Sequence, residues 1–251
     1  MRSFETWNYE QVEDAFGISP VRTLPAFENW LKAEGCDPDE SEKKLLDYYR
    51  DLLFEEVQNW NEDELKLFFI GPILSLIHFK TANFKPFTQR TLSVTKGDIS
   101  ASGKVDFMLA KGKVLPKIPY FCLHEYKQEN RRDNDPLGQL LIGMVAAQAK
   151  NHDDFPIYGC YVSGRNWFMV LLEGDKYCVS NAHNASDEDI YKIFAIMKKC
   201  KLLVDIHAQK KIKKILRGCR FSSFQQINIR LYLLFYVKVL TPLLLVRILW
   251  R

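Results

Sequence analysis

The chain has 251 residues, of which 47% are hydrophobic and 26% charged, a composition typical of globular proteins and unlike that of disordered chains. Its net charge of +4 is unevenly distributed along the sequence. Residues 1–205 carry 25 basic and 31 acidic side chains, a net charge of −6, whereas residues 206–251 hold ten basic side chains and no acidic one. The positive total therefore does not identify a basic nucleic-acid-binding protein.

Several classes of protein are excluded by the absence of their sequence patterns. The first residues lack the apolar run of a secretory signal, and the six scattered cysteines form neither a zinc motif nor a disulfide framework. The glycine-rich phosphate-binding loops and the G-x-S-x-G of serine hydrolases are also absent. We therefore expect a cytoplasmic protein with reduced, mostly buried cysteines.

The first 80 residues are predicted to be helical. Apolar residues recur at helical spacing over residues 39–60, and a strongly apolar segment follows over residues 61–79. Within that segment Gly71-Pro72 predicts a kink or a break. Residues 1–60 are interpreted as a helical N-terminal extension, which lies in the acidic part of the chain.

From about Arg90 the pattern changes to strands. Three short β-prone runs with short connections predict an antiparallel meander over residues 91–95, 104–110 and 119–127. Further along, the sequence predicts a helix over residues 136–150 and strands over residues 157–162 and 167–173. A closing pair of helices is predicted over residues 187–204 and 207–216. We therefore predict an α/β (α+β) domain over residues 61–220, with a mixed central sheet flanked by helices.

Charged residues interrupt two of these apolar strands. Asp106 lies inside the second strand, and Glu125 and Lys127 lie two residues apart at the end of the third, so they project from one face. His124 and Tyr126 project from the other face. If the two strands pair, Asp106 and Glu125 can meet, and two close carboxylates repel each other unless a divalent cation lies between them.

These residues resemble a known family. Asp106, followed 19 residues later by Glu125-Tyr126-Lys127, resembles the motif of the PD-(D/E)xK nuclease superfamily, whose fold is called restriction-endonuclease-like. Val105 stands where the nominal motif has proline. The predicted order of a helix, a three-stranded meander, a helix and another strand is also similar, over roughly residues 60–175.

Two further matches extend the resemblance. Residues 62–74 resemble the first helix of the N-terminal nuclease domains of type I restriction subunits, where a glutamate precedes a basic residue by four and an Ile-x-Pro pattern follows. Glu62 is therefore the predicted helix-borne carboxylate, with Glu64 as the alternative. Gln139 resembles a glutamine that some family members place near the metal and DNA.

The resemblance implies a magnesium-dependent DNA nuclease that hydrolyses phosphodiester bonds, with Mn²⁺ as an alternative metal. Asp106, Glu125, Glu62 and the carbonyl of Tyr126 would hold metal, and Lys127 would position the attacking water. A homodimer or larger nuclease complex is compatible with this reading, and no membrane association is expected. The alternative is a catalytically silent protein of nuclease fold that serves as a nucleic-acid-binding or scaffold module.

Two segments of the chain carry an excess of positive charge. Residues 96–132 hold eight basic and four acidic side chains, the asymmetry that a phosphate partner would favour. Residues 221–251 form a hydrophobic, basic tail whose status stays open. Three interpretations of this tail are open: an appendage outside the catalytic domain, a buried terminal element, or a membrane anchor. The charges within the segment disfavour the membrane anchor.

Overall fold

The structure is a computed structural model that describes residues 1–129, 135–151 and 155–218, and only the backbone of residues 211–218. Met1–Ala208 form one compact unit. A second unit comprises Gln209–Arg251, and its described backbone is helical as far as Gly218. The hydrophobic tail predicted at residues 221–251 lies outside the described residues.

Within the described residues, helices predominate as far as Leu76, and three strands, a helix, four strands and a final helix follow. The helices are α1 (Tyr9–Phe16), α2 (Pro25–Lys32), α3 (Glu40–Glu56), α4 (Glu62–Leu65), α5 (Gly71–Leu76), α6 (Pro136–Asn151) and α7 (Asp189–Gly218). The strands are β1 (Arg2–Ser3), β2 (Ser19–Pro20), β3 (Lys85–Lys96), β4 (Ile99–Lys111), β5 (Lys117–Lys127), β6 (Ile157–Ser163), β7 (Asn166–Glu173), β8 (Lys176–Val179) and β9 (His183–Asn184). The predicted meander and the helix after it are confirmed.

All described strands join one mixed sheet, in the order β1-β4-β5-β6-β7-β8-β2, with β3 beside β4 and β9 beside β7. The strand β4 is antiparallel to both β3 and β5, while β5 and β6 are parallel and connected through α6. One edge of β4 pairs with β3 along its length. Its other edge pairs with β1 near Ala101 and with β5 only from Phe107 onward.

The sheet separates two hydrophobic cores. Residues of α1 and α6, including Val12 and Leu141, pack on one face. Residues of α2, α3, α5 and α7, including Trp30 and Phe194, pack on the other. Because β6 and β7 are covered on both faces, they are apolar along almost their whole length, as expected for buried strands. The predicted α/β class, with a mixed central sheet flanked by helices, is confirmed.

The N-terminal segment is part of this sheet rather than a separate helical layer. Its short strands β1 and β2 pair in parallel with β4 and β8, respectively. Phe4 is fully buried against β4, where a Cβ added at Gly103 would lie 2.4 Å from the Phe4 Cβ. Only glycine permits so close an approach, and the contact fixes the segment beside the candidate site.

Two local predictions differ from the structure. Gly71-Pro72 does not break the helix, because a π-helical turn over Lys66–Ile70 carries the chain from α4 into α5. The N–H of Gly71 donates to the Lys66 carbonyl five residues earlier, which accommodates the missing N–H of Pro72. The predicted closing pair of helices is a single helix α7, since no glycine or proline interrupts it before Gly218.

Two sequence-based expectations concern cysteines and membranes. The five described cysteines are free and buried, as expected, and Cys219 lies outside the described residues. Within the described part of the chain, no helix has both the length and the apolar character needed to cross a bilayer.

Candidate active site

The candidate site lies where β4 and β5 separate. Their last paired residues are Phe107 and His124, and continuing this register by one residue places Asp106 opposite Glu125. There the backbone N–H of Tyr126 donates to Asp106 Oδ2 at 2.9 Å, so a side chain replaces the usual strand-to-strand bond. Asp106 is thereby held at the point where the sheet opens into a cleft.

Glu125 and Lys127 face the same cleft as Asp106. Both side chains line it and are more than nine-tenths buried, with exposures of 2% for Glu125 and 8% for Lys127. The Lys127 ammonium donates to Glu125 Oε1 at 2.7 Å. A buried ion pair contributes little to stability on balance, and charged groups buried beside a cleft make this a candidate functional site.

His124 and Tyr126 project to the opposite face, as the alternation of the strand predicts. The His124 ring stacks on Phe107, and its Nδ1 lies 2.7 Å from the Tyr126 hydroxyl. Burial lowers the pKa of His124 to about 3, so the imidazole is neutral at physiological pH. Only the backbone of Tyr126 is therefore directed to Asp106.

Glu62 reaches the cleft from the first turn of α4. Asn61 caps this helix by accepting the N–H groups of Asp63 and Glu64, while the Glu64 carboxylate accepts the N–H of Asn61. This capping box occupies Glu64 and leaves Glu62 to line the cleft. Of the two carboxylates that the sequence left open, the structure brings Glu62 to the other site residues.

Lys66 connects the helix to the strands. One turn after Glu62, its ammonium donates to Glu62 Oε1 at 2.6 Å and to Asp106 Oδ1 at 2.8 Å. Lys127 Nζ lies 3.6 Å from Glu62 Oε2. Carboxylates and ammonium groups thus alternate in one chain of contacts, from Asp106 through Lys66, Glu62 and Lys127 to Glu125.

The cleft around this chain of contacts has a volume of about 540 Å³ and an excess of negative charge. Its lining includes five carboxylates and three ammonium groups, from Glu5, Glu62, Asp63, Asp106, Glu125, Lys66, Lys104 and Lys127. Of the six described lysines in the basic segment 96–132, only Lys104 and Lys127 line it. The positive charge of that segment is therefore mostly located elsewhere on the surface.

The environment of Glu125 disfavours its ionised form. Burial and the nearby Asp106 carboxylate raise the pKa of Glu125 from 4.5 to about 8, although Lys127 and Lys66 oppose the shift.

No family model and no curated protein matches the chain. Its function is therefore inferred from the chemistry of this cleft.

Gln139 provides a further oxygen donor from the first turn of α6. Its side chain is 5% exposed and lines the cleft, and its Oε1 has no hydrogen-bond partner among the described residues. The adjacent helix start is capped by Asp135, whose carboxylate accepts the N–H of Leu137 at 3.0 Å. This buried amide oxygen is therefore available to accept a hydrogen bond from a ligand in the cleft or to coordinate it.

Gln89 is a site residue that the sequence reading missed. Its Nε2 donates to Asp106 Oδ1 at 2.6 Å, and its φ of 53° lies in the left-handed region. On either side of it, Thr88 and Arg90 pair with β4 while Gln89 does not. Such a conformation costs about 1–3 kcal/mol in a non-glycine residue and is concentrated at functional sites. No sequence signal identifies it, because glutamine carries no preference for positive φ.

The donor set suits a hard divalent cation. Asp106, Glu125 and Glu62 offer carboxylate oxygens, and Gln139 adds an unpaired amide oxygen, the ligand chemistry that Mg²⁺ and Mn²⁺ prefer. Among the described residues, no group of three or more His, Cys, Asp or Glu side chains is already arranged to hold a metal ion. The ammonium groups of Lys66 and Lys127 lie between these carboxylates instead.

Proposed function

We propose that the protein is a magnesium-dependent DNA nuclease of the PD-(D/E)xK type, with a restriction-endonuclease-like core. The observation that carries the proposal is that Asp106 and Glu125, from neighbouring antiparallel strands, line one cleft with Lys127 bonded to Glu125. If Asp106 and Glu125 projected to opposite faces of the sheet, this assignment would be wrong.

The arrangement of elements supports the same family. The helix bearing Glu62 is followed by the antiparallel meander β3-β4-β5, the helix α6, and β6 parallel to β5. This is the order that the resemblance implies. The N-terminal strands β1 and β2 are additions to that sheet: β2 pairs with β8, and β1 pairs with β4 on the same edge as β5.

The charge of the cleft explains why a phosphodiester substrate requires a cation. Five carboxylates against three ammonium groups repel a phosphate, so the cleft by itself does not attract DNA. Asp106, Glu125, Glu62 and the carbonyl of Tyr126 would hold Mg²⁺, with Mn²⁺ as the alternative. When bound, the metal supplies positive charge at the phosphate and lowers the pKa of a coordinated water.

The chain's own residues orient the reacting groups. Lys127 is fixed by Glu125 and Glu62, so its ammonium can orient the water that attacks phosphorus. As the water oxygen bonds to phosphorus and gives up a proton, the bond to one ester oxygen breaks and that oxygen takes up a proton. Gln89 holds Asp106 in place, and Gln139 adds a polar contact from α6.

The test of the proposed activity is metal-dependent cleavage of single- and double-stranded DNA by the full chain. We expect cleavage with Mg²⁺ or Mn²⁺, none with a chelator, and a loss of roughly 10²-fold or more in Lys127→Met, because a misplaced reacting group can cost about 10²-fold. Lys104→Met removes a lysine that lines the same cleft without an ion pair to any described residue, and it is the matched control.

Two outcomes separate the proposal from its alternative. Cleavage that persists unchanged in Lys127→Met or in the presence of a chelator contradicts the assigned chemistry. DNA binding without cleavage under any metal condition favours the catalytically silent binding module instead. The proposed homodimer or larger complex and the cytoplasmic location stay predictions.

A second cavity supports nucleic acid as the partner. It has a volume of about 340 Å³, and its charged lining residues are the lysines Lys80, Lys85 and Lys113. None of the three forms an ion pair with a described residue. Lys85 is four residues before Gln89 on β3, which corresponds to about 13 Å along an extended strand. A DNA backbone crossing the cleft can therefore reach this lysine cavity.

The lysine cavity predicts a specific salt dependence. Replacing Lys80, Lys85 and Lys113 with alanine should weaken DNA binding for all sequences and reduce the slope of log Kd against log salt by about two to three, since each phosphate contact contributes about 0.9. Fluorescence anisotropy without divalent metal measures this slope. Replacing the exposed helical lysines Lys32, Lys44 and Lys192 is the control, and equal slope changes in both triple variants would contradict the prediction.

A further inference from the structure

The ammonium of Lys66 occupies the space between two proposed metal-binding carboxylates. It lies 2.6 Å from Glu62 Oε1 and 2.8 Å from Asp106 Oδ1. The Lys66 side chain is 22% exposed, and that of Asp106 is 10% exposed. This is therefore a largely desolvated ion pair rather than a surface contact that solvent screens.

The backbone of Lys66 is held in the π-helical turn, whereas its ammonium is held only by side-chain contacts. Lys66 begins the π-helical turn, and its carbonyl accepts the N–H of Gly71. A Cβ at Gly71 would lie 3.0 Å from that carbonyl, so the turn is tightly packed. The flexible four-carbon side chain can nevertheless move its ammonium within the open cleft, which Lys66 lines.

Lys66 also keeps its charge in this environment. Burial lowers its pKa, but the carboxylates of Asp106 and Glu62 more than offset that effect, so the net shift is upward. The ammonium is consequently a permanent positive charge near neutral pH.

The other two lysines of the cleft have different roles. Lys127 is bonded to Glu125 and lies farther from Glu62, at 3.6 Å. Lys104 forms no ion pair with a described residue. Lys66 alone among the three shares its ammonium between a helix carboxylate and a strand carboxylate at hydrogen-bond distance.

We propose that Lys66 is an internal counter-cation, which holds Asp106 and Glu62 together in the metal-free protein and which a divalent cation must displace. The inference rests on the proposed function, since it concerns the same carboxylates. An oxygen that accepts an ammonium hydrogen directs its lone pair to that hydrogen, so metal binding and the Lys66 contacts compete. The competition explains why several carboxylates face one cleft while, among the described residues, no three of them are arranged around one metal position.

The experiment is isothermal titration of Mn²⁺ and Mg²⁺ into the full chain without DNA. We expect Lys66→Met to bind metal at least about tenfold more tightly than wild type, because a competing charge at contact distance is removed. Lys66→Gln, which keeps hydrogen-bond donors but no charge, should also bind more tightly. Lys66→Arg keeps the charge and should resemble wild type, and Lys104→Met should change the affinity by less than about threefold.

The direction of the change in metal affinity tests the inference. Weaker or unchanged metal binding in both Lys66→Met and Lys66→Gln, with circular dichroism confirming their fold, overturns it. An equal gain in metal affinity in Lys104→Met overturns it as well, because the loss of any positive charge in the cleft would then explain the gain. If wild type cleaves DNA while the Lys66 variants show no gain, only this inference fails. If no variant binds metal or cleaves DNA, the proposed function fails with it.

Discussion

The Asp106→Asn variant is expected to lose DNA cleavage by at least about 10²-fold, the usual cost of removing one electrostatic contact to a reacting group. Asp106 accepts three hydrogen bonds, from Lys66, Gln89 and the backbone of Tyr126. Asparagine has nearly the same shape, but its amide carries no charge and can present only one oxygen. Steady-state cleavage of a labelled duplex, with kcat and KM determined separately, measures the loss.

The same substitution should weaken metal binding, so its effect must appear in kcat at saturating DNA and in the Mn²⁺ affinity together. Asp98→Asn, in the exposed turn between β3 and β4, removes one carboxylate without touching the cleft and should leave both quantities unchanged. Full activity in Asp106→Asn would show that the cleft is not the active site. A loss of thermal stability alone, with kcat retained, would make Asp106 a structural residue.

Glu125 is expected to make the metal-free protein less stable as pH rises from about 5 to 8. Its pKa is 4.5 in an ordinary environment and about 8 in the fold, because burial and Asp106 penalise the charged form. Between these values the folded state binds more protons than the unfolded state, so stability is fully present below pH 4.5 and is lost as pH rises through 8. Each pKa unit corresponds to about 1.4 kcal/mol, so the loss is on the order of 4 kcal/mol.

Urea denaturation of the metal-free protein at pH 5, 6, 7 and 8 measures this dependence. In Glu125→Gln the slope with pH should largely disappear, since an amide does not titrate. Glu5→Gln, an exposed carboxylate that lines the same cleft, should keep the wild-type slope. Mg²⁺ should stabilise the protein more at pH 8 than at pH 5, because a metal binds the ionised carboxylate. A slope of opposite sign in wild type would contradict the assigned environment of Glu125.

Much of the fold is readable from local patterns. The meander and the helix α6 follow from β-prone runs, short connections and the Asp135-Pro136 helix start. The helix α6 and the strand β5 lie close to their predicted bounds, whereas β3 and β4 begin six and five residues before theirs. The shared face of Glu125 and Lys127 follows from strand alternation alone. Such features depend on residues that are close in sequence, so they can be predicted from a single sequence.

Other features depend on contacts between distant segments. Glu62 lies near the strand carboxylates only because α4 packs beside β4 and β5, where Lys66 bridges Glu62 to Asp106 and Lys127 lies 3.6 Å from Glu62. The continuation of the helix through Gly71-Pro72 depends on a π-helical turn, and the pairing of β1 and β2 with β4 and β8 joins residues far apart in sequence. Neither hydrophobic periodicity nor secondary-structure propensity predicts such pairings.

By itself, the sequence determined which residue types carry the candidate chemistry and on which faces of their strands they project, because both follow from spacing along one element. Only the tertiary structure decided which side chains accompany them. Lys66 and Gln89 reach Asp106 across 40 and 17 residues of chain, and one does so from a π-helical turn and the other from a left-handed backbone. Their positions arise from packing and from the separation of β4 and β5, which no local pattern of residues specifies.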